Sequence, residues 1–533
     1  MSKVQPETKE IAVKHTTVED SDHPDHPVGA ESVQSEKYGT AYDERDMQRM
    51  GKLQQLRRNF RFFSIFGYAV ILGNTWEFAL VLGAMALTNG GTAGGIWMFL
   101  TVCVGMFFCM LSMAEMASMA PTSGGQYHWV SEFAPKEYQK FLSYLVGWLC
   151  VLGWQAAMGA TSYATAQQIE GLIALNHPTY TIQGWHGALL SIGITAFCIF
   201  FNTVLARRLP LFEGIVVVLH IFGFFAFLVV LWVMAPRSDP KAVFTEFQDN
   251  AGWGNVGLSC LVGLLGPVVT LIGSDSACHL SEELKDAAWV LPRSMVATAL
   301  VNYSLGFVMT ITFMSTIGDV SQVLATPTGQ PYIQIVLNAT NSHTAATILT
   351  TVMCILLFFC SVNQVTTSSR QLFAFARDRG LPFSSFLSHV RPGWDIPLNA
   401  VTLTMIFTTL LSLIIIGSSI AFNIITSLSQ VGLVSSYIIA IGCMAVKRIR
   451  KEPLLSSRFS LGKAGLPVNI IALCFLALAF VMLFFPATPK PNGVTMNWSV
   501  LIYGVVVIFA LVYYYFTGRY AYVGPVEYIN KNM

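Results

Sequence analysis

Charge is what this sequence lacks most. Only 11% of its 533 residues are Asp, Glu, Lys or Arg, against about 25% in soluble domains. With 54% hydrophobic residues, there is too little charge to cover a water-facing surface, and a soluble globule is excluded. A net charge of +2 leaves no basic face for a nucleic-acid partner. No P-loop, nucleophile elbow or zinc-ligand spacing occurs, so neither ATP hydrolysis nor another enzymatic reaction has a motif to rest on, and no cofactor or metal is expected. The cysteines, from Cys103 to Cys474, fall inside or at the edge of apolar runs without metal-like spacing and read as small buried residues. The first 50 residues lack the apolar core of a signal peptide. They are polar and rich in Glu, Asp, Lys, Ser and Pro, and residues 1–55 read as a disordered cytoplasmic tail.

What is present is a series of apolar runs, each long enough to cross ~30 Å of hydrocarbon. They predict twelve spans, near 63–88, 95–118, 139–168, 188–206, 211–235, 258–281, 293–317, 345–376, 398–418, 421–446, 467–486 and 498–517. The fold class is therefore an all-α, multi-pass membrane protein with the lipid bilayer as its solvent. A twelve-helix domain covers 56–520 and a short cytoplasmic tail covers 521–533. The third and eighth runs are long enough to tilt or to extend past the membrane. Lys and Arg residues set the orientation. With a cytoplasmic N-terminus, the inside loops hold Lys136, Lys140, Arg207, Arg208, Lys285, Arg293, Arg377, Arg379, Arg391 and the cluster Lys447 to Lys463, while the outside loops hold only Arg237, Lys241 and Lys490. Both termini are expected in the cytoplasm. Asn338-Ala-Thr340 then lies outside as a candidate N-glycosylation site, Asn497 abuts the last span, and Asn302 falls within a span.

Two spans are interrupted. Gly73-Asn74-Thr75-Trp76-Glu77 sits in the middle of the first run, where a carboxylate costs roughly 2.5–3.5 kcal/mol and should face protein or water. The sixth run contains Gly273-Ser274-Asp275-Ser276-Ala277-Cys278-His279. Spans 1 and 6 are corresponding helices if spans 1–5 and 6–10 form two halves. Five spans per half force those halves to be inverted, with repeats near 63–235 and 258–446. Broken helices at matching positions of such halves point to a shared binding site at mid-membrane.

Longer motifs place the chain. Met113-Ala-Glu115 through Pro121 and Gly124-Gly125 to Trp129, Ser369-Arg370 through Arg377-Asp378 to Pro382, and Pro397-Leu-Asn399-Ala400 resemble signatures of the amino acid–polyamine–organocation transporter superfamily. Asn250-Ala-Gly252-Trp253, Gly263 to Pro267 and Asp275 to Glu283 narrow the resemblance to the fungal amino acid/choline permease branch, which includes choline and 4-aminobutyrate permeases. The resemblance implies a five-plus-five inverted repeat with two further C-terminal helices, and a fungal plasma-membrane address. In choline permeases the residue after the helix 1 tryptophan is small and uncharged; here it is Glu77.

The candidate residues follow from chemistry and resemblance together. Gly73, Asn74 and Thr75 offer free N–H groups to a carboxylate. Trp76 offers a cation–π face. Glu77 either binds the cationic end of a substrate or carries a coupling proton. Gly273, Ser274, Asp275 and Ser276 form the matching break, with Asp275 drawing a positive charge. Trp154, Gln155, Asn363 and Gln364 line the cavity or glue helices. His279 with Glu282 and Glu283 reads as a solvated cluster, with an inner gate as the alternative. The resemblance gives Glu115 and Arg370 roles in closing that gate. His220 reads as packing. The chain is expected to import a small nitrogenous solute by alternating access with a co-transported proton, as a symporter for an amino acid, 4-aminobutyrate or a choline-like amine. The rival is a nutrient sensor on the same scaffold.

Overall fold

The computed structural model describes residues 39–50, 54, 56–390, 396–418, 420–486, 488–493 and 495–525. Among them twelve helices are long and apolar enough to cross a membrane. Spans 1 to 6 are Phe62–Thr88, Gly91–Met119, Gln139–Asn176, Gly184–Thr203, Leu209–Met234 and Val256–Glu283; spans 7 to 12 are Ala287–Thr316, His343–Arg377, Leu398–Gly417, Ala421–Ile449, Gly462–Met482 and Ser499–Ala521. The third and eighth are the longest, at 38 and 35 residues. Span 3 runs eight residues past the predicted 168 because Ile169, Leu172, Ile173 and Leu175 keep one side apolar for another two turns.

Spans 1–5 and 6–10 form the inverted halves. Their related helices pack on one another, span 2 on 7, 3 on 8 and 4 on 9, while span 3 also packs along span 10. Spans 3 and 10 cross where two glycines meet. A Cβ on Gly432 would lie 2.9 Å from the Gly153 nitrogen, so small residues let these backbones touch where lipid supplies no hydrophobic drive. A short helix, Gln126–Phe133, lies between spans 2 and 3. Another, Pro331–Thr340, lies between spans 7 and 8 on the opposite face and carries Asn338, which is partly buried and accepts from Gln334 at 2.8 Å.

The expected disordered tail is corrected over its last part. Ala41–Arg49 is a helix, capped by Thr40 in a capping box with Asp43. It docks on the face that also carries residues 519–525, the terminal face. Asp43 is 2% exposed. Its Oδ2 accepts from the Asp286 N–H at 2.9 Å and its Oδ1 from the Ala287 N–H at 3.0 Å, capping span 7. Arg58 lies 3.3 Å from Asp43 and donates to the Ser281 carbonyl at 3.1 Å. Phe60 joins Leu284 in a parallel bridge. The polarity of this stretch is plain in the sequence; what is not is that its carboxylate meets the free N–H groups of span 7, and that Met47, Met50 and Leu56 meet apolar cover. Thr40→Ala should cost this helix about 1 kcal/mol, seen as faster amide exchange over 41–49 with unchanged exchange in span 7.

Candidate functional site

Span 1 breaks at one residue. Helix Phe62–Gly73 ends and helix Thr75–Thr88 begins at Asn74, which has φ 43° and ψ 45°. Asparagine tolerates this left-handed conformation better than most residues. The hydrogen-bond ladder bridges the break, since Asn74 N–H donates to Val70 and Phe78 N–H to Asn74. The break is therefore a kink rather than a long unwound stretch. It still leaves the first N–H groups of the second half without partners in that helix. Both polar atoms of the fully buried Asn74 side chain also lack partners.

Span 6 breaks more widely. The helix Leu265–Leu271 stops, Ile272 is extended, Gly273 takes φ 109°, and a 3-10 helix runs over Ser276–Glu283. Counted from the terminal face, Gly73 lies eleven residues into span 1 and Gly273 ten residues from the end of span 6. At 1.5 Å per residue Gly73 sits about 16 Å deep, and the 3-10 helix below Gly273, at about 2.0 Å per residue, spans a similar depth.

Between the breaks is a small cavity with about 40 Å³ of room for water-sized groups. Gly73, Gly273, Trp154, Gln364 and Gln430 line it, with Phe78, Phe422 and three hydroxyl residues. No charged side chain is among the lining residues. Trp154 stands edge-on to His279, ring centroids 5.2 Å apart, and His279 Nδ1 lies 3.0 Å from the Ser123 carbonyl.

The other predicted residues face elsewhere. Thr75 turns to span 7, where its methyl crowds Gly306. Ser274 is buried beside Tyr303, and Ser276 is buried with its hydroxyl unpartnered. Asp275 takes a 2.6 Å hydrogen bond from Gln126, and its Oδ1 has no partner. Gln155 donates to Thr404 at 3.1 Å. Asn363 donates to the Tyr68 carbonyl at 3.2 Å and to Glu213 at 3.0 Å. Trp76 and Glu77 point at span 5. Glu77 Oε1 is 2.7 Å from His220 Nδ1, the Trp76 indole N–H is 3.2 Å from the same nitrogen, and all three side chains are fully buried. Glu77 Oε2 and His220 Nε2 have no partner. Sequence reasoning left His220 as packing and passed over Glu213; their spacing of seven residues puts both on one face of span 5, which was the available signal.

The terminal face beneath the cavity is sealed by ion pairs. Arg377 holds Glu282 with two bonds of 2.7 and 2.8 Å, and Arg370 holds Glu283 at 2.8 Å. Glu282 is 0% and Glu283 7% exposed, so the expected solvated cluster is corrected to buried pairs. The seven-residue spacing of Arg370 and Arg377 on span 8 sets both guanidiniums over the end of span 6. Glu115 and Arg370 do not pair with each other. Glu115 contacts Arg448 and accepts from the Leu461 N–H at 3.0 Å.

Comparison with known proteins agrees with this architecture. An uncharacterized amino-acid permease of Schizosaccharomyces pombe is 29% identical, aligned over 92% of this chain and 90% of its own. Amino-acid permease 2 of Neurospora crassa is 28% identical over 91% and 90%. The choline transporter of Saccharomyces cerevisiae is 27% identical over 87% and 82%. In solved structures, a manganese transporter mutant of Eremococcus coleocola superposes with a TM-score of 0.54, covering 89% of this chain and 95% of that one at 14% identity, a likeness of fold alone. The sequence profile of the amino acid permease family matches residues 61–508. With twelve spans and two breaks facing one cavity, the chain is a multi-pass membrane transporter of small molecules and belongs to the amino acid permease family.

Proposed function

We propose that this chain imports zwitterionic nitrogenous solutes, amino acids foremost, by alternating access coupled to a proton, with its terminal face in the cytoplasm of the plasma membrane. The observation that carries the reading is the buried Glu77–His220 pair one turn from the break in span 1. The pair has one proton to place. The Trp76 N–H can only donate, so His220 Nδ1 accepts from it with its lone pair or, once protonated, gives that contact up and donates to Glu77. Removing the proton leaves a buried carboxylate with no cation bound to it, which is costly unless water reaches the site. Such a group exchanges its proton only when the protein changes state.

The uncharged cavity supports a zwitterion over a quaternary amine. Backbone dipoles at the two breaks face opposite ends of a solute and can meet one negative and one positive group. A solute with net positive charge, such as choline, would have only aromatic faces to offset its lost hydration.

Uptake into vesicles reconstituted with the pure protein tests this. The panel is the labelled common amino acids, 4-aminobutyrate and choline. Accumulation of at least one zwitterion under an inward proton gradient is expected, with choline poorest. Saturable binding without accumulation in any gradient would instead mark a sensor. Gln364→Leu, which removes a polar group from the cavity wall, should raise KM about tenfold with little change in kcat.

A further inference from the structure

One buried carboxylate is not used by the pair just described. Glu213 lies four residues into span 5, seven before His220, so it sits about 10 Å nearer the terminal face on the same side of the helix. It is 0% exposed. Its Oε2 accepts from Asn363 at 3.0 Å, while its Oε1 and the Asn363 Oδ1 have no partner. Among the described residues an amide is its one hydrogen-bonding neighbour and no cation touches it. An ionised carboxylate in that setting is costly, and the neutral acid is the form the site accommodates.

The surroundings tie this carboxylate to both ends of the transport cycle. Cys360 on span 8 lies one turn from Asn363 and donates to the Leu72 carbonyl at 3.1 Å, between Tyr68 and Glu77 along span 1. On the other side Tyr68 of span 1 donates to the Asn363 carbonyl at 2.7 Å and lies against Thr367. Tyr68 is thereby about one turn of span 8 from Arg370. Its ring also meets Phe60, whose N–H donates to Glu283. The titratable and charged groups around Glu213 are thus Tyr68 on span 1, Cys360 on span 8, His220 on its own helix, and the Arg370–Glu283 pair beyond Tyr68. Separating that pair, as opening of the terminal face requires, uncovers Tyr68, Asn363 and then Glu213.

We propose that Glu213 is the exit station for the coupling proton, a second proton-carrying residue that serves the Glu77–His220 pair. When the terminal face opens, the Glu213 O–H gives its proton to entering water. The resulting carboxylate is refilled, through that water, by the proton released from Glu77–His220. One proton leaves per cycle and Glu213 ends as it began. The path runs between spans 1, 5 and 8 and bypasses the substrate cavity.

This proposal rests on the proton-coupled reading, and the test separates the two. Vesicles with a trapped pH dye and labelled 4-aminobutyrate, or the panel member the wild type accumulates most, report proton entry and uptake together. In E213Q, substrate-driven proton entry and net accumulation should fall about a hundredfold, the scale of a lost general acid–base group, while exchange of internal for external substrate persists. E213D should restore net accumulation with a shifted dependence on internal pH. If the wild type moves no protons with substrate, the coupling reading itself fails. If the wild type does and E213Q keeps proton entry within about twofold, Glu213 is not the exit. If E213Q loses exchange and accumulation alike and E213D restores neither, Glu213 is a structural staple and the proposal is overturned.

Discussion

Glu77→Gln should leave a protein that exchanges substrate across the membrane but no longer concentrates it. The amide keeps the shape of the side chain beside His220 but cannot ionise, so it imitates a site whose proton never leaves. A proton moving down ~100 mV and about one pH unit releases roughly 3.7 kcal/mol, enough for about 500-fold accumulation of a zwitterion. That entire factor should vanish in E77Q, because a zwitterion gains nothing from the membrane potential alone. Substrate coupling has a physical origin. A substrate carboxylate at the first turn after Asn74 would lie about one turn from Glu77, and two negative charges some 6 Å apart repel by about 3 kcal/mol at an effective dielectric constant near 20. Substrate and proton therefore favour each other's binding. In the wild type, uptake should rise as external pH falls, since a filled pair binds substrate better; in E77Q the profile should be flat. His220→Ala, which removes the partner but leaves Glu77 ionisable, should shift the profile rather than flatten it. Unchanged accumulation and pH dependence in E77Q would remove Glu77 from the coupling mechanism.

Much of this arrangement was legible in the sequence, and the part that was not has a common cause. Glycine beside small polar residues inside an apolar run marks a break, and Gly73 and Gly273 do face one cavity at matching depth. Which neighbours of a break face that cavity depends on helix rotation, and one residue along a helix turns the side chain by about 100°. Trp154 lines the cavity while Gln155 faces span 9. Gln364 lines it while Asn363 bonds to spans 1 and 5. Composition placed these pairs at the right depth but did not say which member turns inward. Glu77 is the sharpest case. A carboxylate at mid-membrane needs a partner, and the sequence offered a substrate as readily as it offered His220, 143 residues away. The expectation of a solvated cluster failed for a related reason: Glu282 and Glu283 look solvated until Arg370 and Arg377 are brought across from another helix.

Arg377→Ala should unlock that inner gate. Arg377 holds Glu282 with two bonds, and the Glu282 side chain is fully buried. Removing one member of a buried pair typically costs about 3–5 kcal/mol, because the remaining charge stays out of water. That cost falls on the closed state alone. Once span 6 swings away from span 8, Glu282 is hydrated and no longer needs its partner. The equilibrium should therefore move toward a terminal-open state by about two to three orders of magnitude. Arg58 softens the effect, since its positive charge also reaches Glu282, and the shift should sit at the lower end of that range. Cys278, buried against Gly125 and four residues from Glu282, reports the change. In a background lacking the exposed Cys474, an impermeant thiol reagent applied at the terminal face should label Cys278 much faster in R377A than in the wild type. The double variant E282Q/R377A leaves no buried charge behind, so it should recover most of the lost thermal stability and, with it, return Cys278 labelling toward the wild-type rate. A lower melting temperature in R377A with no gain in Cys278 labelling would mean that the pair stabilises the fold without gating it. Fast labelling in R377A that falls back in the double variant as stability returns is the pattern expected of a gate held shut by charge pairing.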